Sequence, residues 1–259
     1  MNLPVCKKLV RQKFSDAAPG YGEFSDIQRG LARELLKKID IGRGAWVLDV
    51  GAGDGVLAAA LAHGGARVVA LDAAWGMVRQ GKTRDGRAAW VQADACALPF
   101  ARERFDLVVS SSAYQWVEDL SLAFTQARRV LKPGRGLTGV LFGRATLEEF
   151  FTSLQRGAVR LGRTLPLLKR LARVDDVRAA LGAAGFRDIV VTSQARAAGF
   201  DDLPAILAWL KGVGANALTP KFFMGKALLK AMAEEYGAHF SRDGLLNVTF
   251  EEIWIEARA

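Results

Sequence analysis

The pattern of apolar and polar residues through the middle of the chain alternates between two periods. Short apolar runs, each closed by turn residues, predict buried strands at 46–50, 68–71, 89–92, 107–111 and 137–141. Apolar residues at helical spacing predict helices over 56–63, 75–82 and 120–131 between them. Repeated strand–helix–strand units imply a mostly parallel, doubly wound α/β sheet with right-handed crossovers.

The two flanks of this region follow other patterns. Before it, a basic amphipathic stretch at 5–14 and a helical pattern at 24–39 either cover a site or pack on the sheet edge. After it, the spacing predicts helices at 146–161, 174–184, 203–210 and 222–235, and strands at 187–193 and 246–255. The two late strands suit an antiparallel edge of the same sheet.

Length and composition fit one large α/β domain, because 259 residues with 51% apolar content can bury a sizeable core. Cys6 and Cys96 lie far apart without metal-ligand spacing, so we interpret them as reduced thiols of a cytoplasmic protein. Residues 1–10 lack the apolar segment of a signal peptide, and no apolar run approaches the roughly 18 residues of a membrane span.

The net charge of +9, with a pI near 9.8, leaves two interpretations open. It favours an acidic partner, such as a nucleic acid, a membrane surface or an acidic protein. It equally fits general solubility in an arginine-rich, alanine-rich proteome. We find no zinc-finger, RRM or KH pattern.

The first predicted strand carries Asp49 near its end and is followed by glycines at 51, 53 and 55, and then by a helical pattern. Glycine permits positive φ and a close approach of the backbone to a ligand. The third glycine arrives one residue earlier than in the dinucleotide pattern G-x-G-x-x-G. A second acid, Asp72, ends the next strand about twenty residues on, where a ribose-binding acid is expected.

This combination resembles the first two motifs of class I S-adenosylmethionine (SAM) methyltransferases, and the stretches 92–95, 98–100 and 129–134 resemble later ones. The resemblance implies a SAM site in which Asp72 accepts the ribose hydroxyls and Asp94 accepts the adenine amino group. Met77 would lie against the adenine or belong to the core, and Asp94 has a turn cap as its alternative. The implied cofactor-binding residues are Asp49, Gly51, Ala52, Gly53, Gly55, Asp72, Ala73, Met77, Asp94, Ala95 and Ser111.

Four further stretches resemble the malonyl-[acyl-carrier protein] O-methyltransferases of biotin synthesis: 14–28, 110–116, 141–150 and 209–215. Ala73, Ala93 and Ser111 depart from the residues common at their positions. The resemblance implies a Rossmann-like, seven-stranded class I methyltransferase sheet with an antiparallel edge and a helical lid. Within a single domain, 1–259, it implies an N-terminal helical cap (1–44), a SAM-binding core (45–143), a helical lid (144–185) and C-terminal strands and helices (186–259).

The reaction implied by the resemblance moves the SAM methyl group to the free carboxylate of malonyl-phosphopantetheine on an acyl carrier protein. It requires no metal and no catalytic side chain beyond positioning groups, and it involves no membrane or nucleic acid. Arg144 would orient the carboxylate, with a surface arginine as the alternative. Tyr21, Tyr114, Gln115 and Trp116 would line the pocket, and Arg163, Lys169, Arg170 and Arg173 would form a carrier-docking face.

Two other functions remain open on the sequence. One is another small-molecule methyltransferase, such as a quinone C-methyltransferase or an aconitate-type carboxyl methyltransferase, because only the substrate loops separate these enzymes. The other is a basic nucleic-acid-binding protein on a degenerate methyltransferase fold. The intact glycines at 51, 53 and 55, together with Asp72, argue against degeneracy.

Overall fold

Five short apolar runs form the parallel half of one mixed sheet. The computed structural model describes residues 7–165, 171–218 and 224–259. The eight strands described are β1 (Trp46–Val50), β2 (Arg67–Asp72), β3 (Ala89–Gln92), β4 (Phe105–Ser111), β5 (Leu131–Phe142), β6 (Arg187–Phe200), β7 (Ser241–Arg242) and β8 (Leu245–Arg258). Their order is β3-β2-β1-β4-β5-β8-β6, and the two-residue β7 pairs with β8.

The position of β1 fixes where a ligand can bind. It pairs in parallel with β2 on one side and with β4 on the other. Strands β2 and β3 are therefore added on one side of β1, and β4 and β5 on the other, so the strand order reverses there. In open α/β sheets, ligands bind outside the carboxyl ends of the strands at this switch point. The loop after Val50 therefore lies where a binding site is expected.

The far edge of the sheet is antiparallel, as the sequence predicts. β8 lies between β5 and β6 and runs antiparallel to both. Pairing with β8 explains why β6 is longer than its apolar run, since β6 continues to Phe200, opposite Leu246. β5 already begins at Leu131, which pairs with Phe105 of β4.

Ten helices flank the sheet in the described residues: α1 (Lys7–Ala17), α2 (Tyr21–Phe24), α3 (Asp26–Lys37), α4 (Val56–His63), α5 (Trp75–Arg84), α6 (Leu120–Val130), α7 (Glu148–Arg160), α8 (Val174–Ala183), α9 (Leu203–Gly212) and α10 (Lys226–Phe240). The helices and the sheet enclose two hydrophobic cores, one on each face of the sheet, because successive residues of a strand point to opposite faces. Val47 joins the core that includes residues of α3, α4 and α7, whereas Leu48 joins the core under α6 and α8.

Helix α1 docks closely on the domain through positions that lack a side chain. A Cβ at Gly76 would lie 2.5 Å from the carbonyl oxygen of Ser15, and the Gly76 N–H donates to the Ser15 hydroxyl at 3.2 Å. Gly214, at φ +71°, lies against Phe14 in the same way. These contacts hold α1 across the carboxyl ends of the strands.

The helix predicted from residue 222 begins in part outside the described residues, and its described portion is α10. None of the helices in the described ranges has the length and apolar character needed to cross a bilayer.

Candidate functional site

The loop after β1 carries three glycines with positive φ, and each meets different surroundings. The N–H groups of Gly51 and Ala52 both donate to the carbonyl oxygen of Leu71, at 2.7 and 2.9 Å. A Cβ at Gly51 would stand 2.1 Å from the Cβ of Ala113, whereas a Cβ at Gly53 would meet nothing within 4 Å. The backbone at Gly53 therefore borders open space.

Asp72 is fixed by the same loop. Its Oδ2 accepts from the Gly53 N–H at 3.0 Å, and its Oδ1 accepts from the Ala74 N–H at 2.8 Å. Burial raises the pKa of the Asp72 carboxyl, and these backbone donors act in the opposite direction. The carboxylate thus ties the glycine loop to the end of β2.

Asp49, the next-to-last residue of β1, is buried and has a carboxylate oxygen without a hydrogen-bond partner. The side chain is 1% exposed, and its Oδ2 has no hydrogen-bond partner. Burial, together with the charge of Asp72, raises the pKa of Asp49 to about 7. A cationic ligand placed here would find a carboxylate whose charge it can stabilise.

Arg29, on α3, is a site residue that the sequence did not single out. Its guanidinium donates to Asp54 at 2.9 Å and to the Gly22 carbonyl at 3.0 Å, while its buried Nε has no partner. Arg29, Asp49 and Asp54 share what we name the third cavity, whose walls also include Ala52 and Gly53. Opposite charges therefore face one small space.

The first cavity lies over the carboxyl ends of β1, β2 and β4. It brings together most of the residues predicted from the sequence: Tyr21, Gly51, Gly53, Asp72, Ala73, Asp94, Ala95, Ser111, Tyr114 and Trp116. Residues of α1 that the sequence did not assign to a site close its other side: Lys7, Val10, Arg11 and Phe14. The signal available for them was the basic amphipathic pattern at 5–14.

Asp94 faces this cavity and already has partners. Its Oδ1 accepts from the Cys96 N–H at 2.9 Å, which is a turn cap, and its Oδ2 pairs with Lys7 at 3.1 Å and Arg11 at 3.0 Å. Burial acts to raise the pKa of Asp94, but the Cys96 N–H and the two cations hold it below its usual value. Asp94 is therefore ionised at neutral pH.

The second cavity adjoins the first and has a different character. It shares Phe14, Tyr21, Ser112 and Trp116 with the first cavity. Its remaining described walls come from α3, the 3₁₀ turn after β4, the end of β5 and the loop after it, the segment before α8, α9 with the turn after it, and β8: Gln28, Gln115, Phe142, Thr146, Leu147, Leu171, Trp209, Val213, Ala215 and Phe250. None of these described residues is charged.

Tyr21 borders all three cavities, so the cavities meet at its side chain. It is buried, and burial raises the pKa of its phenol above the usual value, so the hydroxyl stays protonated. A ligand spanning the first and third cavities would thus present its central part to whatever occupies the second.

Comparison with known proteins now identifies the family. Residues 48–137, from β1 into β5, match a family model described as a methyltransferase domain. A malonyl-[acyl-carrier protein] O-methyltransferase of Geobacter sulfurreducens is 34% identical over 92% of this chain and 94% of its own. One of Gallionella capsiferriformans is 33% identical over 96% of this chain and 89% of its own. The chain belongs to this O-methyltransferase family.

Solved structures show the same methyltransferase fold at low identity. The YcgJ protein of Bacillus subtilis has a TM-score of 0.63 and 19% identity, over 88% of this chain and 97% of its own. The phosphoethanolamine N-methyltransferase 2 of Haemonchus contortus, solved in complex with S-adenosyl-L-methionine, has a TM-score of 0.56 and 20% identity, over 88% of this chain and 51% of its own.

Two residues that the family motifs suggest as cofactor contacts lie in the packed interior instead. Met77, on α5, is 0% exposed within the hydrophobic core and is not among the residues that line the first cavity. Gly55 abuts Trp90, where a Cβ would lie 2.7 Å from the indole ring, and it is the N-cap residue of α4. Neither residue is among those that line the three cavities, and their contact with the cofactor stays a prediction.

Arg144 is likewise not among the residues that line the three cavities. It is half-buried in the loop after β5, and two later residues of that loop, Thr146 and Leu147, face the second cavity in its place. Residues of the loops after β4 and after β5 do meet at this cavity.

The predicted carrier-docking face is described only in part. Arg163 and Arg173 are exposed, whereas Lys169 and Arg170 lie outside the described residues. His63 and His239 are on the surface, paired with Asp85 and Glu235. Within the described ranges, no group of three or more histidine, cysteine or acidic residues is arranged to hold a metal.

Proposed function

We propose that this chain transfers the methyl group of SAM to the free carboxylate of a malonyl thioester on an acyl carrier protein, an early step of biotin synthesis. The two curated relatives carry this activity in their names and match nearly the whole chain. The observation that carries the proposal is the meeting of three cavities at Tyr21, which gives a donor and an acceptor separate spaces with one shared wall.

The third cavity fits the amino-acid end of SAM. Asp49 offers an unpartnered buried carboxylate oxygen to an ammonium group, and Arg29 offers an unpartnered buried Nε–H to a carboxylate. A bound zwitterion would satisfy both groups, which is favourable because unpaired buried polar groups are costly. Gly53 leaves the space open, since a side chain there would project into it.

The first cavity fits the adenosine end. Asp72 presents an ionisable carboxylate beside the glycine loop for the ribose, and Asp94 and Ala95 lie on the wall expected to face the adenine. An amino group binding to Asp94 would share its Oδ2 with Lys7 and Arg11, both of α1.

The sulfonium of SAM supplies an already activated methyl group, so the chain's contribution is to bind, orient and exclude water. A malonyl carboxylate titrates near pH 4, as acidic side chains do, and needs no general base at neutral pH. Tyr21, Ser112 and Trp116, at the wall shared by the first and second cavities, would align its oxygen with the methyl. Such positioning can supply roughly 7–11 kcal/mol of the barrier.

The proposed partner is an acyl carrier protein carrying malonyl-phosphopantetheine. An acidic carrier complements the net charge of +9. Arg163 and Arg173 lie on the face proposed for docking, and reversing their charge should raise KM for the carrier-bound substrate but not for malonyl-CoA. The proposal places the enzyme in the cytoplasm, where a free thiol such as that of Cys96 stays reduced.

The test is to incubate the purified protein with methyl-labelled SAM and malonyl-acyl carrier protein and to measure the product mass. We expect one methyl group on the malonyl carrier and none on acetyl-acyl carrier protein, which has no free carboxylate. The Asp72→Ala variant is the control for a SAM-dependent signal. Methyl transfer to aconitate or a quinone, without transfer to the malonyl carrier, would favour another small-molecule methyltransferase.

A further inference from the structure

The second cavity contains a buried hydrogen-bond donor with nothing to bind. Trp209 lines this cavity and is 8% exposed, and its indole Nε1 has no hydrogen-bond partner. An indole nitrogen can only donate. Leaving such a group unpaired in the interior is unfavourable, because it loses its hydrogen bond to water and gains none. An oxygen atom of a ligand in the cavity would relieve this cost.

The orientation of the Trp209 ring is fixed by its neighbours. It packs edge-on against Phe250, with ring centroids 5.3 Å apart, and against Phe200 at 6.0 Å. Phe250 is itself a wall of the second cavity. The indole N–H is therefore held in place before any substrate arrives, which reduces the entropy lost on binding.

Location distinguishes Trp209 from two other tryptophans. Trp90 and Trp254 also have a buried indole nitrogen without a partner, but neither lines any of the three cavities. Only Trp209, among these three, could find its acceptor in a bound molecule.

Trp209 also lies away from the place where the methyl group would be transferred. Ser112 borders the first and second cavities, and its buried hydroxyl has no partner, whereas Trp209 borders the second cavity alone. Ser112 and Leu147, on the walls of the second cavity, have φ of +57° and +63°. Residues held in this uncommon region are frequent at ligand-binding sites.

A malonyl thioester has two groups that accept hydrogen bonds. Its carboxylate must face the methyl group, which places it on the side of the cavity that Ser112 and Tyr21 share with the SAM site. Its thioester carbonyl lies one methylene further away and is uncharged. A neutral indole donor in a cavity whose described walls carry no charge matches this carbonyl.

We propose that the indole N–H of Trp209 donates a hydrogen bond to the thioester carbonyl of the malonyl group and so makes the site specific for an acyl thioester. The inference rests on the proposed function and names the residue that recognises the part of the substrate that does not react. A site built around a donor rejects analogues that lack the acceptor, because the donor is then left unpaired.

The test compares two enzyme variants on two substrates. The substrates are malonyl thioester and its thioether analogue, in which a methylene replaces the carbonyl, each as the CoA derivative and loaded on acyl carrier protein. Trp209→Phe removes the N–H and keeps an aromatic ring against Phe200 and Phe250. Trp254→Phe makes the same deletion at a buried site outside the cavities.

For Trp209→Phe we expect kcat/KM on malonyl thioester to fall about tenfold, mainly through KM, as loss of one hydrogen bond implies. On the thioether analogue, the variant should equal the wild type within twofold, and the Kd for SAM should be unchanged. Trp254→Phe should match the wild type on both substrates.

An equal loss on both substrates would assign Trp209 to packing and overturn the inference, as would no loss on either. If the wild type methylates the malonyl thioester, and Trp209→Phe prefers the thioester over the thioether as strongly as the wild type does, the inference is overturned and the proposed function stays intact. If the wild type methylates neither malonyl-CoA nor malonyl-acyl carrier protein, both the inference and the proposed function are overturned.

Discussion

The guanidinium of Arg11 lies 3.0 Å from the carboxylate of Asp94, across the mouth of the first cavity. Lys7 reaches the same oxygen at 3.1 Å, so two cations of α1 are tied to the turn after β3. Both pairs are partly exposed, and such pairs contribute only about 0–1 kcal/mol each and weaken in salt. The first turns of α1 are therefore tied to the cavity wall by contacts that can open, whereas the packing of Ser15 on Gly76 holds the end of the helix.

Removing both cations should accelerate the exchange of SAM. In Lys7→Ala/Arg11→Ala we expect dissociation roughly threefold to tenfold faster at low ionic strength, with the difference shrinking in 0.5 M salt. Stopped-flow measurement of SAM dissociation tests this. Lys8→Ala is the matched control, since Lys8 is an exposed lysine of the same helix that does not line the cavity. Identical rates in all three proteins would show that α1 does not control exit.

The raised pKa of Asp49, about 7, predicts a pH dependence of SAM binding. Below this pKa the carboxyl is neutral and binds an ammonium group poorly, so affinity should rise about tenfold between pH 6 and pH 7.5. In Asp49→Asn, affinity should be weak and nearly independent of pH. Calorimetry across this range is the measurement, and a flat wild-type profile would contradict the prediction.

The same shift predicts a cost in stability for the protein without SAM. The pKa of Asp49 is raised from 3.8 by burial, so ionising it opposes folding. This cost is absent below about pH 4, grows as the pH rises, and is complete above about pH 7. Asp49→Asn should therefore gain thermal stability over the wild type at pH 8 and little at pH 4, as differential scanning calorimetry can measure.

Two glycines of one loop should respond differently to alanine. Gly51→Ala forces a Cβ to 2.1 Å from the Ala113 Cβ at φ +74° and should cost about 2–4 kcal/mol, lowering Tm by roughly 5–15 °C. Gly53→Ala meets open space and should cost only about 1–2 kcal/mol. The methyl group added in Gly53→Ala would intrude on bound SAM, so the affinity of this variant for SAM should fall at least tenfold. Equal Tm values for the two variants would contradict this account.

Substitutions at Arg144 and Arg29 should affect different ligands: the first should impair use of the malonyl substrate, and the second should weaken SAM binding. If Arg144 moves from its half-buried position to orient the malonyl carboxylate, Arg144→Ala should lower kcat/KM for the malonyl carrier tenfold or more and leave SAM affinity intact. Arg29→Ala should weaken SAM about tenfold or more, because its guanidinium lines the third cavity. Unchanged turnover in Arg144→Ala would remove this residue from the reaction.

The parallel half of the sheet could be predicted from the sequence because its strands are short apolar runs with turns at fixed places. The predicted strands at 46–50 and 89–92 match β1 and β3 to the residue. The ends of strands were harder to predict where pairing rather than composition decides them. Residues 194–200 continue β6 beyond the predicted strand because β8 lies alongside.

Site residues could be predicted where a sequence motif fixes the backbone that carries them. They were harder to predict where the packing of distant elements brings a residue to the site. Gly51, Gly53 and Asp72 lie together as their spacing indicates. Arg29 and Arg11 belong to helices whose docking on the domain the local sequence does not specify. Met77 was ambiguous because helical periodicity places a residue on a face but does not say whether that face meets a ligand or the sheet.

The place of β8 in the sheet imposes an order on assembly. β6 precedes β8 in the chain but has only β8 as its neighbour in the described sheet, so fourteen residues of β6 remain without a pairing partner until the later strand inserts. This insertion also delivers Phe250 to the second cavity. Formation of the second cavity is thus coupled to a long-range step of folding, and variants that slow this step should accumulate a species with β6 unpaired and prone to aggregate.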